Sequence, residues 1–155
     1  MAKKLALIAS KGTLDWAYPP FILASTAAAL DYEVQVFFTF YGLTLLKKDL
    51  SELRISPLGN PAMPMPVPMP TLLQALPGME SMATMMMKQK MSAKGVASVE
   101  ELRGLCVEAG VKLIACQMTM DLFDFKREDF IADIEIGGAA TFFGFAGESD
   151  VSLFI

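Results

Sequence analysis

The chain has 155 residues, a length that suits one domain with its own core. It is 54% hydrophobic and only 19% charged, and at a net charge of −4 it lacks the clustered Lys and Arg that nucleic-acid binding requires. It contains no histidine, which excludes Ser-His-Asp and Cys-His catalysis and every histidine-ligated metal site. So much apolar surface on a small chain predicts a homo-oligomer.

The N-terminal region begins with a strand signal followed by a helix signal. Residues 3–10 form a short apolar run that ends at a loop signal, which predicts a buried strand. Asp15 is a candidate N-cap, and Pro19 and Pro20 suit a first helical turn. The pattern therefore predicts a helix over residues 21–30, apolar on almost every side and buried on most of them.

The next elements continue this alternation. Residues 33–40 are rich in β-branched and aromatic side chains and predict a second strand, followed by a helical turn at residues 43–48. Residues 99–109 predict a helix that ends at Gly110. Its predicted apolar face consists of Leu102, Leu105, Cys106 and Ala109.

The C-terminal region repeats the pattern. Residues 111–116 predict a strand, 126–131 a helical turn, 139–147 a helix of small residues and 150–155 a last strand. Strands that alternate with helices predict an α/β fold with a mostly parallel sheet. We expect a single domain over residues 1–155 with one insertion, at about residues 56–92.

The insertion is rich in proline and methionine. Its seven prolines, between residues 57 and 77, remove backbone donors, so we predict no membrane-spanning helix and place the chain in the cytoplasm. Residues 72–91 predict a flexible helical lid or an oligomer contact, and peripheral membrane contact stays open because lysines follow the apolar stretch. The methionines follow no fixed metal-binding spacing, so no metal and no cofactor are predicted.

Cys116 is the candidate nucleophile because it ends a predicted buried strand where a loop begins. Ligands bind beyond the carboxyl ends of strands in an open parallel sheet. We expect the sulfur to be open to solvent, with its pKa lowered by Lys11 and by the backbone amides from Gln117 onward. The alternative is an inert, buried cysteine at a strand end.

Three loops and a glycine pair are expected to meet around this sulfur. Thr13 and Tyr41 are expected to donate hydrogen bonds to it. The predicted pocket residues are Ser10, Lys11, Gly12, Thr13, Asp15, Tyr41, Gly42, Gln117, Met118, Gly137 and Gly138.

Cys106 is predicted to be structural. It lies on the inward face of a predicted helix, and free cysteine is among the most buried residue types. No secretion signal precedes the first strand, so both cysteines are expected to be free thiols. A disulfide between Cys106 and Cys116 is not expected, because the helix interior and the strand end are too far apart.

Several stretches of the chain together are similar to a known protein family. Residues 10–15, 38–42 and 115–121 resemble the DsrE/DsrF/DsrH-like family over essentially the whole chain. More narrowly, residues 60–64 and 76–84 resemble an insertion of its branch described as peroxiredoxin-like or DsrE-related. The resemblance implies a three-layer α/β/α domain with a flavodoxin-like sheet, an oligomer, and a cysteine that carries persulfide sulfur, here Cys116.

The leading hypothesis is therefore a sulfur carrier or sulfurtransferase. Cys116 would take sulfane sulfur from a donor protein, hold it as a persulfide and pass it to an acceptor thiol. One alternative is a non-enzymatic oligomeric or membrane-associated interaction module that uses the Met/Pro-rich insertion. Another is a small anion site near Lys11 and Gly137 without covalent chemistry.

Overall fold

The computed structural model describes residues 1–55 and 70–155 of the chain. In this part, five parallel strands form one sheet in the order β4-β3-β2-β1-β5. The strands are β1 (Lys4–Ala9), β2 (Glu33–Phe38), β3 (Lys112–Cys116), β4 (Glu135–Gly137) and β5 (Val151–Phe154). The predicted α/β class with a parallel sheet is confirmed, although flavodoxin itself has the strand order 2-1-3-4-5.

Helices connect the strands. The α-helices are α1 (Leu14–Ala29), α2 (Thr71–Gln74), α3 (Met79–Ala93), α4 (Val99–Glu108), α5 (Gln117–Leu122) and α6 (Ala139–Ala146). Short 3-10 helices span Phe40–Leu46 and Arg127–Asp129. The first 14 residues of the predicted insertion, 56–69, lie outside the described residues, and the rest of it is largely helical in α2 and α3.

Helices pack on both faces of the sheet. Successive side chains of a strand point to opposite faces. In β2 the ring of Phe38 packs on Phe21 of α1, with ring centroids 5.8 Å apart. The preceding residue, Phe37, packs on Phe142 of α6 at 5.7 Å. The two contacts place α1 and α6 on opposite sides of the sheet and give the three layers.

The start of α1 differs from the prediction. The helix begins at Leu14 after an extended Thr13, so Asp15 is in the first turn and not at the N-cap. Pro19 and Pro20 lie inside the helix, where each lacks a backbone donor. One face of α1 is buried from its first turn onward, and this burial compensates for the hydrogen bonds that the two prolines cannot donate. The buried positions of that face are Leu14, Ala17, Phe21 and Ala24.

The inward face of α4 was predicted only in part. Cys106 is fully buried, but Leu105 is 50% exposed, and Arg103 is buried in its place. The Arg103 guanidinium donates hydrogen bonds to the carbonyl of Leu45 at 2.9 Å and to that of Lys47 at 2.6 Å. It thereby satisfies carbonyl groups at the end of the 3-10 helix, which compensates for burying a charged group.

Two glycines allow the loops after β1 and β2 to touch. A Cβ atom on Gly42 would overlap the carbonyl group of Ala9, and one on Gly12 would overlap the carbonyl oxygen of Tyr41. The backbones of the two loops therefore approach each other more closely than a side chain at Gly12 or Gly42 would permit. This contact holds the two loops at the carboxyl edge of the sheet.

We predict that Gly42→Ala lowers the free energy of unfolding by about 1–3 kcal/mol, because the added methyl group overlaps backbone atoms that cannot easily move. Gly104→Ala is the matched control, since nothing lies near its Cβ position in α4. Alanine is favoured over glycine inside a helix, so this control is expected to raise stability by about 0.5–1 kcal/mol. Urea unfolding of both variants measures the two effects, and an unchanged Gly42→Ala would contradict the close contact.

Candidate thiol site

Sheet register brings Cys116 next to residues from both neighbouring strands. Cys116 at the end of β3 lies opposite Gly137 of β4. On the other side, Ala115 lies opposite Phe38 of β2, so the next residue along, Thr39, falls beside Cys116. The predicted position of the thiol at the carboxyl edge of the sheet is confirmed.

The sulfur is not open to solvent, contrary to expectation. Cys116 is only 5% exposed, because β3 is an inner strand and α5 begins directly at the next residue. The expected positive neighbour is also not there. The Lys11 ammonium lies over the ring of Trp16, 3.3 Å from its centroid, and does not contribute to the pKa of Cys116.

Uncharged hydrogen-bond donors, and not a positive charge, lower the pKa of the Cys116 thiol. Burial by itself raises the pKa of Cys116. The hydroxyl and amide of Thr119, the hydroxyl of Thr39 and the amide of Met118 outweigh burial, so the pKa lies below the usual value of a cysteine. None of these groups makes a conventional N-cap hydrogen bond to the sulfur, so we attribute their effect to stabilisation of the anion.

Thr119 connects the thiol to the loop after β2. Its side chain is fully buried, and its Oγ1 accepts a hydrogen bond from the backbone amide of Phe40 at 3.0 Å. The Oγ1 atoms of Thr39 and Thr119 are 3.4 Å apart. The sequence analysis assigned no role to Thr119 or to Thr39. The Cys-x-x-Thr spacing after a strand is the signal that could have identified Thr119.

Most residues of the predicted pocket near α1 have other contacts. The Ser10 hydroxyl donates to the carbonyl of Ile155 at 2.9 Å and thereby links β1 to the C-terminal residue. Gly12 packs against the loop after β2. Thr13 precedes α1, and Asp15 lies in its first turn. None of these residues contributes to the pKa of Cys116.

The remaining predicted residues surround the carboxyl edge in different ways. Tyr41 stacks on Phe123 at 5.9 Å and is 65% exposed, and Met118 is 62% exposed. The side-chain amide of Gln117 donates to the Asp121 carboxylate at 2.8 Å, and Gln117 does not contribute to the pKa of Cys116. Gly42 contacts Ala9, and Gly137 and Gly138 lie against Thr141.

Cys106 provides an internal comparison. It is fully buried in α4, and its thiol donates to the carbonyl of Phe21 at 3.5 Å. Burial raises the pKa of Cys106 to about 11. Both cysteines are free thiols, as predicted, and the structural interpretation of Cys106 is confirmed.

Residues 1–55 and 70–155 contain no cluster of acidic or cysteine side chains that could bind a metal ion. No helix in these ranges is both long enough and apolar enough to cross a membrane.

Comparisons with known proteins establish the family. A model of the DsrE/DsrF/DrsH-like family matches residues 1–154. The chain belongs to this family. The resemblance predicted from the sequence is therefore confirmed.

Two relatives and one solved structure are similar to this chain over nearly its full length. The chain is 69% identical to the sulfur carrier protein DsrE2 of Allochromatium vinosum, covering 99% of this chain and 98% of the relative. It is 31% identical to the uncharacterized protein YrkE of Bacillus subtilis, covering 99% and 97%. The crystal structure of the ychN protein from E. coli matches with a TM-score of 0.58 at 9% identity, covering 99% of both chains, and shows the same fold.

We predict that iodoacetamide modifies Cys116 and leaves Cys106 unmodified at about pH 7. A thiol with a lowered pKa loses its proton at lower pH, so the midpoint of the alkylation rate for Cys116 should lie below ~8.5, the value of a free cysteine. Limited access of the reagent to the sulfur slows the reaction at every pH, whereas the midpoint follows the pKa of Cys116. Peptide mass spectrometry across a pH series measures both sites, and a midpoint above that of free cysteine would contradict the donor arrangement.

Proposed function

We propose that this protein is a sulfur carrier that holds sulfane sulfur as a persulfide on Cys116 and passes it to an acceptor thiol. The observation that carries the proposal is the contrast between its two thiols. Donors surround Cys116 and lower its pKa, whereas the pKa of Cys106 is raised to about 11. The 69% identity with a protein named a sulfur carrier supports the same conclusion.

The chemistry needs only the thiolate. The Cys116 thiolate attacks the outer sulfur of a donor persulfide R–S–SH, a new S–S bond forms, and the donor leaves as R–S⁻. The product is Cys116–S–SH, and the same exchange in the opposite direction transfers the sulfur to an acceptor thiolate. Atoms and charge balance in both steps, so the exchange requires no external oxidant or reductant.

Burial of the sulfur favours donors and acceptors that reach it from the carboxyl edge of the sheet. That edge carries exposed apolar side chains next to Cys116, on the loop after β2 and on α5. We call this surface the apolar rim, and its members are Phe40, Tyr41, Met118 and Leu122. We infer that donor and acceptor proteins dock on the apolar rim, since exposed apolar patches mark interaction sites.

The proposed carrier works in a reducing compartment as a homo-oligomer. Free thiols persist in the cytoplasm, where disulfides are rare. The outer strand β5 supports an oligomer because every residue of it is exposed, including Leu153 at 41% and Phe154 at 73%. Phe143 of α6 is a further exposed aromatic residue, at 69%.

Loading with inorganic polysulfide should add the mass of one sulfur atom to the wild-type protein. Cys116→Ser should take up none, because the thiolate is the nucleophile. Cys106→Ser is the matched control and should load like the wild type, because its thiol is buried and remains protonated. Intact mass spectrometry distinguishes these outcomes, and equal loading of Cys116→Ser and the wild type would refute the proposal.

The second candidate function is an interaction module built on α3. This helix is anchored to the domain, since Thr84 Oγ1 accepts a hydrogen bond from the Ile55 amide at 2.8 Å. Its outer surface nonetheless carries exposed methionines beside polar and charged residues such as Glu80 and Lys88. The outward-facing methionines are Met82, Met85 and Met86, which are 52%, 69% and 49% exposed. Such a surface suits contact with a second copy or with a membrane surface.

We predict that the triple variant Met82→Ser, Met85→Ser and Met86→Ser loses self-association or binding to anionic phospholipid vesicles while it still loads sulfur on Cys116. The change removes apolar surface without touching the hydrogen bond from the Ile55 amide to Thr84 that holds α3. Sedimentation and vesicle flotation measure the two kinds of binding. A variant that matches the wild type in both would rule out α3 as the interaction surface.

A further inference from the structure

The backbone amide of Phe40 determines which way the Thr119 hydroxyl donates its proton. A backbone N–H can only donate, so Thr119 Oγ1 is the acceptor in its contact with Phe40, at 3.0 Å. The proton of the Thr119 hydroxyl is therefore free for another acceptor. Two acceptors are near it, the Thr39 hydroxyl at 3.4 Å and the thiol of Cys116, which lies three residues earlier at the N-cap of α5. A thiolate is the stronger of the two because hydrogen bonds to ionised groups are stronger than neutral ones.

The residue that supplies this amide has an unusual backbone. Phe40 has φ of 48°, in the left-handed region that bulky residues rarely adopt. Its ring packs edge-on against Phe123 at 6.4 Å and against Tyr41 at 6.4 Å. Strained backbone of this kind is concentrated at functional sites. Here it lies where the loop after β2 meets Thr119.

Every group found to face the sulfur is uncharged. Thr39 follows β2, Gly137 ends β4, and Met118 and Thr119 belong to α5. No charged side chain of the described residues contributes to the pKa of Cys116. Stabilisation of negative charge on this atom therefore depends on hydroxyl and amide donors alone.

These donors lower the pKa of the Cys116 thiol and therefore act on Sγ. In the free carrier the negative charge is on Sγ itself. In the loaded carrier the ionisable group is the outer sulfur, about 2.05 Å farther away. The donors therefore stabilise the unloaded thiolate more than the loaded persulfide, which favours release of the sulfur.

We propose that Thr119, oriented by the Phe40 amide, is a positioning residue that makes Cys116 a good leaving group when an acceptor takes the outer sulfur. This role rests on the proposed sulfur-carrier function. The acceptor anion attacks the outer sulfur of Cys116–S–SH and forms a bond to it. The S–S bond of Cys116 breaks, its electron pair goes to Sγ, and the outer sulfur leaves with its proton. A leaving thiol of lower pKa departs faster.

The test measures release in a single turnover with cyanide as the acceptor. Protein loaded with inorganic polysulfide is separated from excess reagent, and excess cyanide converts the outer sulfur to thiocyanate, which is followed by its colour with ferric ion. Thr119→Val should slow this step about tenfold, the effect of losing one hydrogen bond to a charged group. Thr119→Ser keeps the hydroxyl and should stay within about twofold of the wild type. Thr26→Val, on the exposed surface of α1, is the control and should release at the wild-type rate.

A second readout separates this role from general damage to the fold. The alkylation midpoint of Cys116 should move to higher pH in Thr119→Val and stay in place in Thr119→Ser. Circular dichroism reports folding, and Thr119→Ala replaces the valine variant if that one does not fold. Release at the wild-type rate from a folded Val or Ala variant overturns the role of Thr119 and leaves the carrier function intact. A wild-type protein that takes up no sulfur overturns both the carrier function and the release role.

Discussion

Parallel pairing of β2 with β3 is the constraint on which the thiol site depends. Because Ala115 pairs with Phe38, the next residues, Cys116 and Thr39, leave the sheet side by side. The same register brings the loop after β2 close enough for the Phe40 amide to reach Thr119 at 3.0 Å. A slip of one residue would turn each side chain to the other face of the sheet and separate these groups.

Polar donors account for the difference in pKa between the two buried thiols of this protein. Both cysteines are at most 5% exposed, yet the pKa of Cys116 is lowered and that of Cys106 is raised. Burial acts in the same direction on both, since it disfavours the charged form. The difference comes from the hydroxyls and amides at the end of β3, where Cys116 meets Thr39 and Thr119.

The rest of the domain keeps this edge of the sheet in place. Gly42 lets the loop after β2 contact β1, and Arg103 holds the end of the following 3-10 helix through two carbonyl groups. The apolar rim beside the buried sulfur is the surface that we propose for docking. The pKa of the thiol, the position of the loop and the proposed docking surface thus depend on different residues of the same edge.

The sequence by itself determined the elements that follow from local periodicity and composition. It predicted β1, β2, β3, β5, α4 and α6 close to their observed bounds, and it placed Cys116 at a strand end. It missed β4, which has only three residues, because so short a run carries no periodic signal. It also misjudged α1, whose early start depends on burial against the sheet.

Only the tertiary structure decided which groups surround the sulfur. Lys11 was expected there because it follows β1, but its ammonium lies on the Trp16 ring, and uncharged Thr39 takes the place beside Cys116. Arg103 likewise replaced Leu105 on the buried face of α4 because its partners lie on a distant loop. Periodicity indicates the secondary structure of a single segment. Strand register and loop contacts join residues that are far apart in the chain, and no local pattern encodes that pairing.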